Sequence, residues 1–190
     1  MHDWDNYPGD YEARNYYVPT PPSTNVKIPE SKSMLKKVIS GGQTGADEGG
    51  LIAGRKAGYE VSGYIPKGFL TENGPNPDLG RTYNLIETDS SSYVPRTYAN
   101  AKWGEGTIRF ASDFASRGEI ATLDGIKKAK RTHIDVDINN PIPVEDVVKW
   151  LKENKIEILN IAGNRESVSP GICEFVVSYL EKVFKQLNNT

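Results

Sequence analysis

Five short segments hold most of the residues able to do chemistry in this 190-residue chain, and each is expected to follow a β-strand. The first is Ser40-Gly41-Gly42-Gln43-Thr44-Gly45-Ala46-Asp47. Glycines at a strand end let the backbone turn tightly and approach a ligand, and the next helix points its unpaired amides the same way. A phosphate is the natural guest of such a turn. Gln43 and Thr44 add side-chain donors, and Asp47 can accept from a hydroxyl or amine of the guest. A side chain at residue 42 or 45 would fill the space that the ligand's oxygens need. The spacing matches neither a Walker loop nor a full dinucleotide fingerprint. A tight βα turn with no ligand therefore stays open as the alternative.

Pro66-Lys67-Gly68 comes second and puts Lys67 at the carboxyl edge of the sheet, where open α/β folds bind ligands. Alone, such a lysine is ordinarily a solvated surface residue. Third is Arg96-Thr97 at an expected helix start, where an arginine can fork onto phosphate or carboxylate oxygens. The fourth, Ser116-Arg117-Gly118-Glu119 with Thr122 and Asp124, also opens a helix. The fifth is Ala162-Gly163-Asn164-Arg165-Glu166-Ser167. Strand ends that share one edge of a sheet are expected to share one pocket. Neither Cys173, within an amphipathic helix, nor His133, at a strand start, has a catalytic neighbour in sequence, so no nucleophile–base arrangement is evident.

The elements that must position these segments alternate. Apolar runs predict strands over 37–40, 60–65, 106–111, 133–138 and 156–162, and helices are expected over 45–57, 95–103 and 119–130. Three glycines inside the first helix cost stability there and point to close packing. Pro143 can open a helix whose apolar face is Val144, Val147, Val148 and Leu151. Ser169-Pro170 opens the last, which carries Ile172, Phe175, Val176, Tyr179, Leu180, Val183 and Leu187 at helical spacing. Residues 66–92, rich in proline, glycine and serine, are expected to form a long irregular excursion. Strands alternating with helices imply right-handed crossovers. The expected fold is α/β, a Rossmann-like doubly wound, mostly parallel sheet with helices on both faces.

Composition removes other classes. With 25 acids against 23 bases the net charge is −2, which opposes nonspecific grip on nucleic acid or an anionic membrane. No run approaches 18 apolar residues, and the N-terminus has no hydrophobic signal core, so a cytoplasmic protein is expected. One cysteine makes no internal disulfide, and two histidines beside it are too few for a zinc site. Residues 1–33 hold five acids, three bases and five prolines, and read as an extended arm before a ligand-binding domain over 34–190. Trp4, Tyr7, Tyr11, Tyr16 and Tyr17 give that arm an aromatic load suited to packing on its own core or a neighbour.

Taken together, the five segments, with Glu72-Asn73-Gly74-Pro75 and Pro170-Gly171-Ile172, resemble the so-called molybdenum carrier proteins. Those belong to the wider YpsA/SLOG group of Rossmann-like nucleotide-ligand binders, related to lysine-decarboxylase-like phosphoribohydrolases. The resemblance runs from about residue 36 to 187. It implies a homo-oligomer with a pocket for a phosphorylated, pterin-like or nucleotide-like ligand, the molybdenum cofactor as cargo being one case. The ligand-binding positions it marks are Gly41, Gly42, Gln43, Thr44, Gly45, Asp47, Lys67, Gly68, Arg96, Thr97, Arg117, Gly118, Thr122, Asp124, Asn164, Arg165, Glu166 and Ser167. One departure stands out. Where those proteins usually read Gly-Gly-Thr this chain has Arg117-Gly118-Glu119, and the Glu119 carboxylate is expected to repel a phosphate at the helix start. The reading that follows is a non-catalytic binding protein, either a carrier of molybdenum cofactor or a sink for a nucleotide-derived signal such as an ADP-ribose derivative. A phosphoribohydrolase-like enzyme, with Arg117 and Asp124 as its working pair, is the alternative.

Overall fold

The computed structural model describes Thr20 and residues 34–189; the expected arm, Thr20 apart, lies outside the described residues. In chain order the elements are β1 (Lys37–Ser40), α1 (Ala46–Lys56), β2 (Glu60–Ile65), β3 (Leu70–Thr71), β4 (Gly74–Pro75), α2 (Pro77–Tyr83) and β5 (Leu85–Glu87). They continue as α3 (Tyr93–Trp103), β6 (Gly106–Ala111), α4 (Arg117–Lys128), β7 (Thr132–Asp137), α5 (Val144–Glu153), β8 (Ile158–Gly163) and α6 (Ile172–Asn188). Six strands form one sheet in the order β5-β2-β1-β8-β6-β7, every pair parallel. From β1 the chain winds outward through β2 to β5, then crosses to β6 and β7 and returns to insert β8. Connections thus leave β1 and β6 in opposite directions, which opens a crevice at the carboxyl ends of β1, β8 and β6. This is the Rossmann-like sheet that the alternating pattern predicts.

The two faces of the sheet differ in chemistry. Val38, Ile108, Phe110, Val136, Leu159 and Ile161 point into one apolar core with α1, α5 and α6. Helix α1 lies flush on that face because its glycines leave no room for a side chain. A Cβ on Gly50 would sit 2.6 Å from Ile161, and one on Gly54 would sit 2.8 Å from Val38. The alternate residues Thr107, Arg109 and Asn160 are also buried, but on the face that α3 and α4 cover. There Asn160 Nδ2 donates to Thr107 Oγ1 at 3.1 Å. Helix α3 docks through Asn100, whose amide accepts from Tyr64 N at 2.8 Å and donates to Tyr64 O at 2.9 Å. Where β1 stops pairing with β2, that side-chain amide replaces the missing strand.

Most expected elements fall within two or three residues of the observed ones. The excursion over 66–92 is where expectation and structure part, for it holds a small antiparallel hairpin, a helix and an edge strand. Elements of two, two, seven and three residues are too short to show a period in sequence. Asn76 starts α2 there, its side chain accepting from Leu79 N at 3.0 Å.

Candidate functional site

Three helices begin at the crevice, and what caps each one decides where a ligand could enter. At α1 two of the first-turn amides are already used: Ala46 N donates to Asn164 O at 3.0 Å and Glu48 N to Gln43 O at 3.0 Å. The turn before it is self-satisfied, with Gln43 N donating to Asp47 Oδ2 at 3.3 Å and Thr44 N to Gln43 Oε1 at 3.0 Å. At α6 the Glu166 carboxylate accepts from Gly171 N and, at 3.1 Å, from Cys173 N. At α4 the cap residue Ser116 makes no side-chain hydrogen bond. The first-turn amides of α4 have no acceptor one turn back, as at any helix start, and here they border a cavity.

That cavity has a volume of about 180 Å³. Ser116, Arg117, Gly118, Glu119 and Thr122 of the α4 start form one wall, and Gln43 and Asp47 form another. Arg96 and Thr97 enter from α3; Ala162, Gly163, Asn164, Arg165 and Val168 close it from β8 and the loop behind. Arg96 Nη1 pairs with Asp47 Oδ2 at 2.9 Å in a nearly buried ion pair. Burial raises the Asp47 carboxyl above the ordinary carboxylate range, and the Arg96 charge pulls against that rise. Gly41 makes room for the pair, since a Cβ there would fall 1.7 Å from Arg96 Nη1. Tyr93 supports both flanking arginines, with Arg165 5.4 Å and Arg96 6.0 Å from its ring centre.

Three buried polar atoms of this wall have no hydrogen-bond partner: Gln43 Nε2, Arg96 Nε and Glu119 Oε2. A buried polar atom without a partner costs about 1–3 kcal/mol, so these side chains beside the cavity keep unused hydrogen-bonding capacity.

Beneath the cavity lies a charge cluster that the sequence reading did not single out. Arg109, 3% exposed in the middle of β6, reaches Asp135 on β7 with Nε at 2.8 Å and with Nη2 as well. Its Nη1 donates to Glu119 O at 3.3 Å, while Glu119 Oε2 stands 3.6 Å away, beyond a hydrogen bond. One guanidinium thus faces two carboxyls, and half-exposed Asp135 takes both of its aligned donors. Glu119, 2% exposed, is left the costlier anion, and burial pushes its carboxyl up to about 8 against the pull of Arg109. Burial thus favours the neutral carboxyl and works against the repulsion expected between Glu119 and a phosphate.

Four of the five segments meet at the cavity. Gln43, Asp47, Arg96, Thr97, Arg117, Gly118, Thr122, Asn164 and Arg165 line it; Lys67 and Gly68 do not. Lys67 is exposed, and its amide and that of Gly68 hold the turn after β2 to Ser90 and Glu87. Asp124 also lies outside the lining and accepts from Tyr98 Oη and, at 3.0 Å, from Lys128. It sits seven residues into α4, about 10 Å along the helix from Arg117. Asn164 Oδ1 accepts from Ser112 N at 3.0 Å and Ser169 Oγ at 3.0 Å, so its side chain joins two loops. Thr44 and Ser167 grip Glu72, at the tip of the β3–β4 hairpin, which folds that hairpin over the α1 start. Cys173 is half-buried, and burial raises its thiol to about 11, which makes it a poor nucleophile.

The glycine turn differs from expectation in the same way. Gly45 has φ 79°, the left-handed region. Its missing side chain would point at the backbone of the neighbouring loop, 2.6 Å from Asn164 O and Glu166 N, and not at open space. Gly45→Ala should therefore lower stability by about 2–4 kcal/mol, from left-handed strain and forced overpacking. Urea unfolding would show this as a lower midpoint at unchanged slope; an unchanged midpoint would mean that the loop yields freely.

Comparison with known proteins agrees with this architecture. The profile of the circularly permuted YpsA SLOG family matches residues 38–184. A crystal structure from Syntrophus aciditrophicus, of a protein bearing the name "putative molybdenum carrier protein", is similar at 32% sequence identity and a TM-score of 0.72. The match covers 80% of this chain and 96% of that one. No similarity to a curated protein reaches significance. With the family's profile spanning both walls of the crevice, the chain belongs to the circularly permuted YpsA SLOG family.

Proposed function

We propose that the protein binds the phosphate end of a phosphorylated small molecule in the cavity at the start of α4, as a carrier or sink for that molecule. The observation that carries this reading is the lining of the cavity, in which the first-turn amides of α4 stand beside Arg96, Arg117 and Arg165. Oxygens of a phosphate monoester accept from all of these. The charged lining has three arginines against two acids, which suits an anion.

Size limits what goes inside. A volume of about 180 Å³ is below the ~300 Å³ at which pockets enclose whole drug-sized ligands, so the cavity takes one part of such a ligand, by this reading its phosphate. A molybdopterin-type cargo ends in such a phosphate monoester, whereas an ADP-ribose-type signal offers only an internal diphosphate; the name of the Syntrophus protein also supports the first. Asp124, the acid that a phosphoribohydrolase reading requires, stands outside the cavity, so binding without turnover fits better.

Mass spectrometry of the small molecules released when the purified protein is denatured tests the proposal. A phosphate monoester at near-equal molar amount is the expected result, and its identity, pterin or nucleotide, separates carrier from sink. Release of no phosphorus compound from protein purified at low salt would contradict the proposal.

A further inference from the structure

We infer that the outer edge of β7 is a dimerisation surface, to which a second copy of this chain adds its own β7 antiparallel, with Ile134 opposite Ile134. The sheet has an edge at each end. β5 is three residues long and offers little to pair with, whereas β7 is six residues long and pairs with β6 alone among the described residues. Proteins blunt a long edge with proline, lysine or a bulge, and Thr132–Asp137 carries none of these along its unbroken register with β6. Ile138 N donates to Ala111 O at 3.1 Å, so by alternation Ile134 and Val136 turn their amides toward β6. His133 and Asp135 then aim their amides and carbonyls outward. The side chains of both are partly exposed as well.

The order of residues along this edge, Arg131-Thr132-His133-Ile134-Asp135-Val136-Asp137, identifies the occupant as a second copy. Residues directly opposite each other in an antiparallel pair share a face of the sheet, and opposite charges there stabilise the pair. Self-pairing centred on Ile134 sets Arg131 against Asp137 and His133 against Asp135, and the twofold axis repeats both contacts. Asp135 keeps lone pairs for this beyond its bonds to Arg109. On the other face Ile134 meets its own copy and Thr132 meets Val136, beside the apolar core. His133 and Asp135 of the two copies would exchange both backbone hydrogen bonds, and Ile134 would form the closer pair without hydrogen bonds. The same pattern fixes the register. A slip of one residue sets the charged face against the apolar one. Moving the centre to residue 133 or 135 sets histidine against histidine or aspartate against aspartate. Centring on Ile134 opposes unlike charges throughout.

Light scattering of the full chain over a concentration series tests the inference, with His133→Pro and Ile134→Cys beside the parent. Proline at 133 removes an outward donor and no bond to β6, which an edge strand tolerates. The parent should reach twice the chain mass. His133→Pro should need at least about tenfold more protein to do so, since the twofold axis doubles each lost hydrogen bond. Ile134→Cys sets two sulfurs across the axis at a Cα separation of about 4.5 Å, within disulfide range. Mild oxidation should cross-link it. The parent, whose Cys173 lies on α6, should not cross-link, nor should Thr132→Cys, whose counterpart is Val136. A parent that is monomeric at every concentration overturns the inference, and so does a His133→Pro variant that dimerises as readily as the parent. Absence of the Ile134→Cys cross-link also overturns it, since the copies would then meet in another register or on another surface. Thermal unfolding shows whether each variant is folded; should His133→Pro not be, cross-linking of Ile134→Cys against Thr132→Cys decides alone.

Discussion

Glu119→Gln is expected to remove one large component of the pH dependence of this protein's stability between weak acid and pH 9. The unfolded chain releases the Glu119 proton near the ordinary value of 4.5, and the folded chain holds it to about 8. Between those values the folded state binds the extra proton, so stability falls as pH rises through the window. The advantage is complete below the unfolded value and gone above the folded one. A shift of this size corresponds to about 3–5 kcal/mol, a large part of a single domain's total stability. Chemical denaturation from pH 4.5 to pH 9 would measure it. The parent should lose stability relative to Glu119→Gln by that amount. Parallel curves would mean that Glu119 is ionised in the folded protein and paired with Arg109 after all.

The second large effect falls on binding alone. Gly118 lines the cavity, and a Cβ built on it meets no atom within 4 Å. Its φ is not in the left-handed region, so a side chain adds no backbone strain. Gly118→Leu should therefore fold as well as the parent, and helix propensity favours it by about 0.5–1 kcal/mol. Its side chain would occupy the mouth of the α4 start and keep the phosphate off the amides. Two hydrogen bonds to a charged group are worth about 3–6 kcal/mol together, so affinity for ribose 5-phosphate should drop at least about a hundredfold. Calorimetry paired with a melting curve separates the two effects. A variant that still binds normally would remove α4 from the site.

The contrast with Gly45 shows which parts of the site are legible in sequence. Glycines after an apolar strand identify a turn, and the positive φ at Gly45 agrees with that. Spacing does not tell what fills the space beside the turn, and at Gly45 it is the backbone of residues 164–166. Strand ends were likewise legible, because period and punctuation mark them. Which strand ends are neighbours depends on sheet order: β8 inserts between β1 and β6, and this gathers Gln43, Arg117 and Asn164 while Lys67 stays with β2, farther from the crevice. Arg109 is the clearest omission. An arginine inside the run Gly106–Ala111 interrupts an apolar strand. That interruption was the available signal that the face of the sheet under α3 and α4 is polar. At Glu119 the residue type implies a charge that burial opposes, and no local pattern records that burial. In the short elements of 70–87 no pattern is long enough to read.

Two-dimensional amide NMR of the full chain during titration with ribose 5-phosphate distinguishes a phosphate docked at the start of α4 from one held in the glycine turn before α1. Docking at α4 predicts saturable shifts at the backbone amides of Arg117, Gly118 and Glu119 and at the Gln43 side-chain amide, with Lys67 and Gly68 unmoved. Shifts centred on Gly42, Gly45 and Gly68, with the α4 start unaffected, would contradict it.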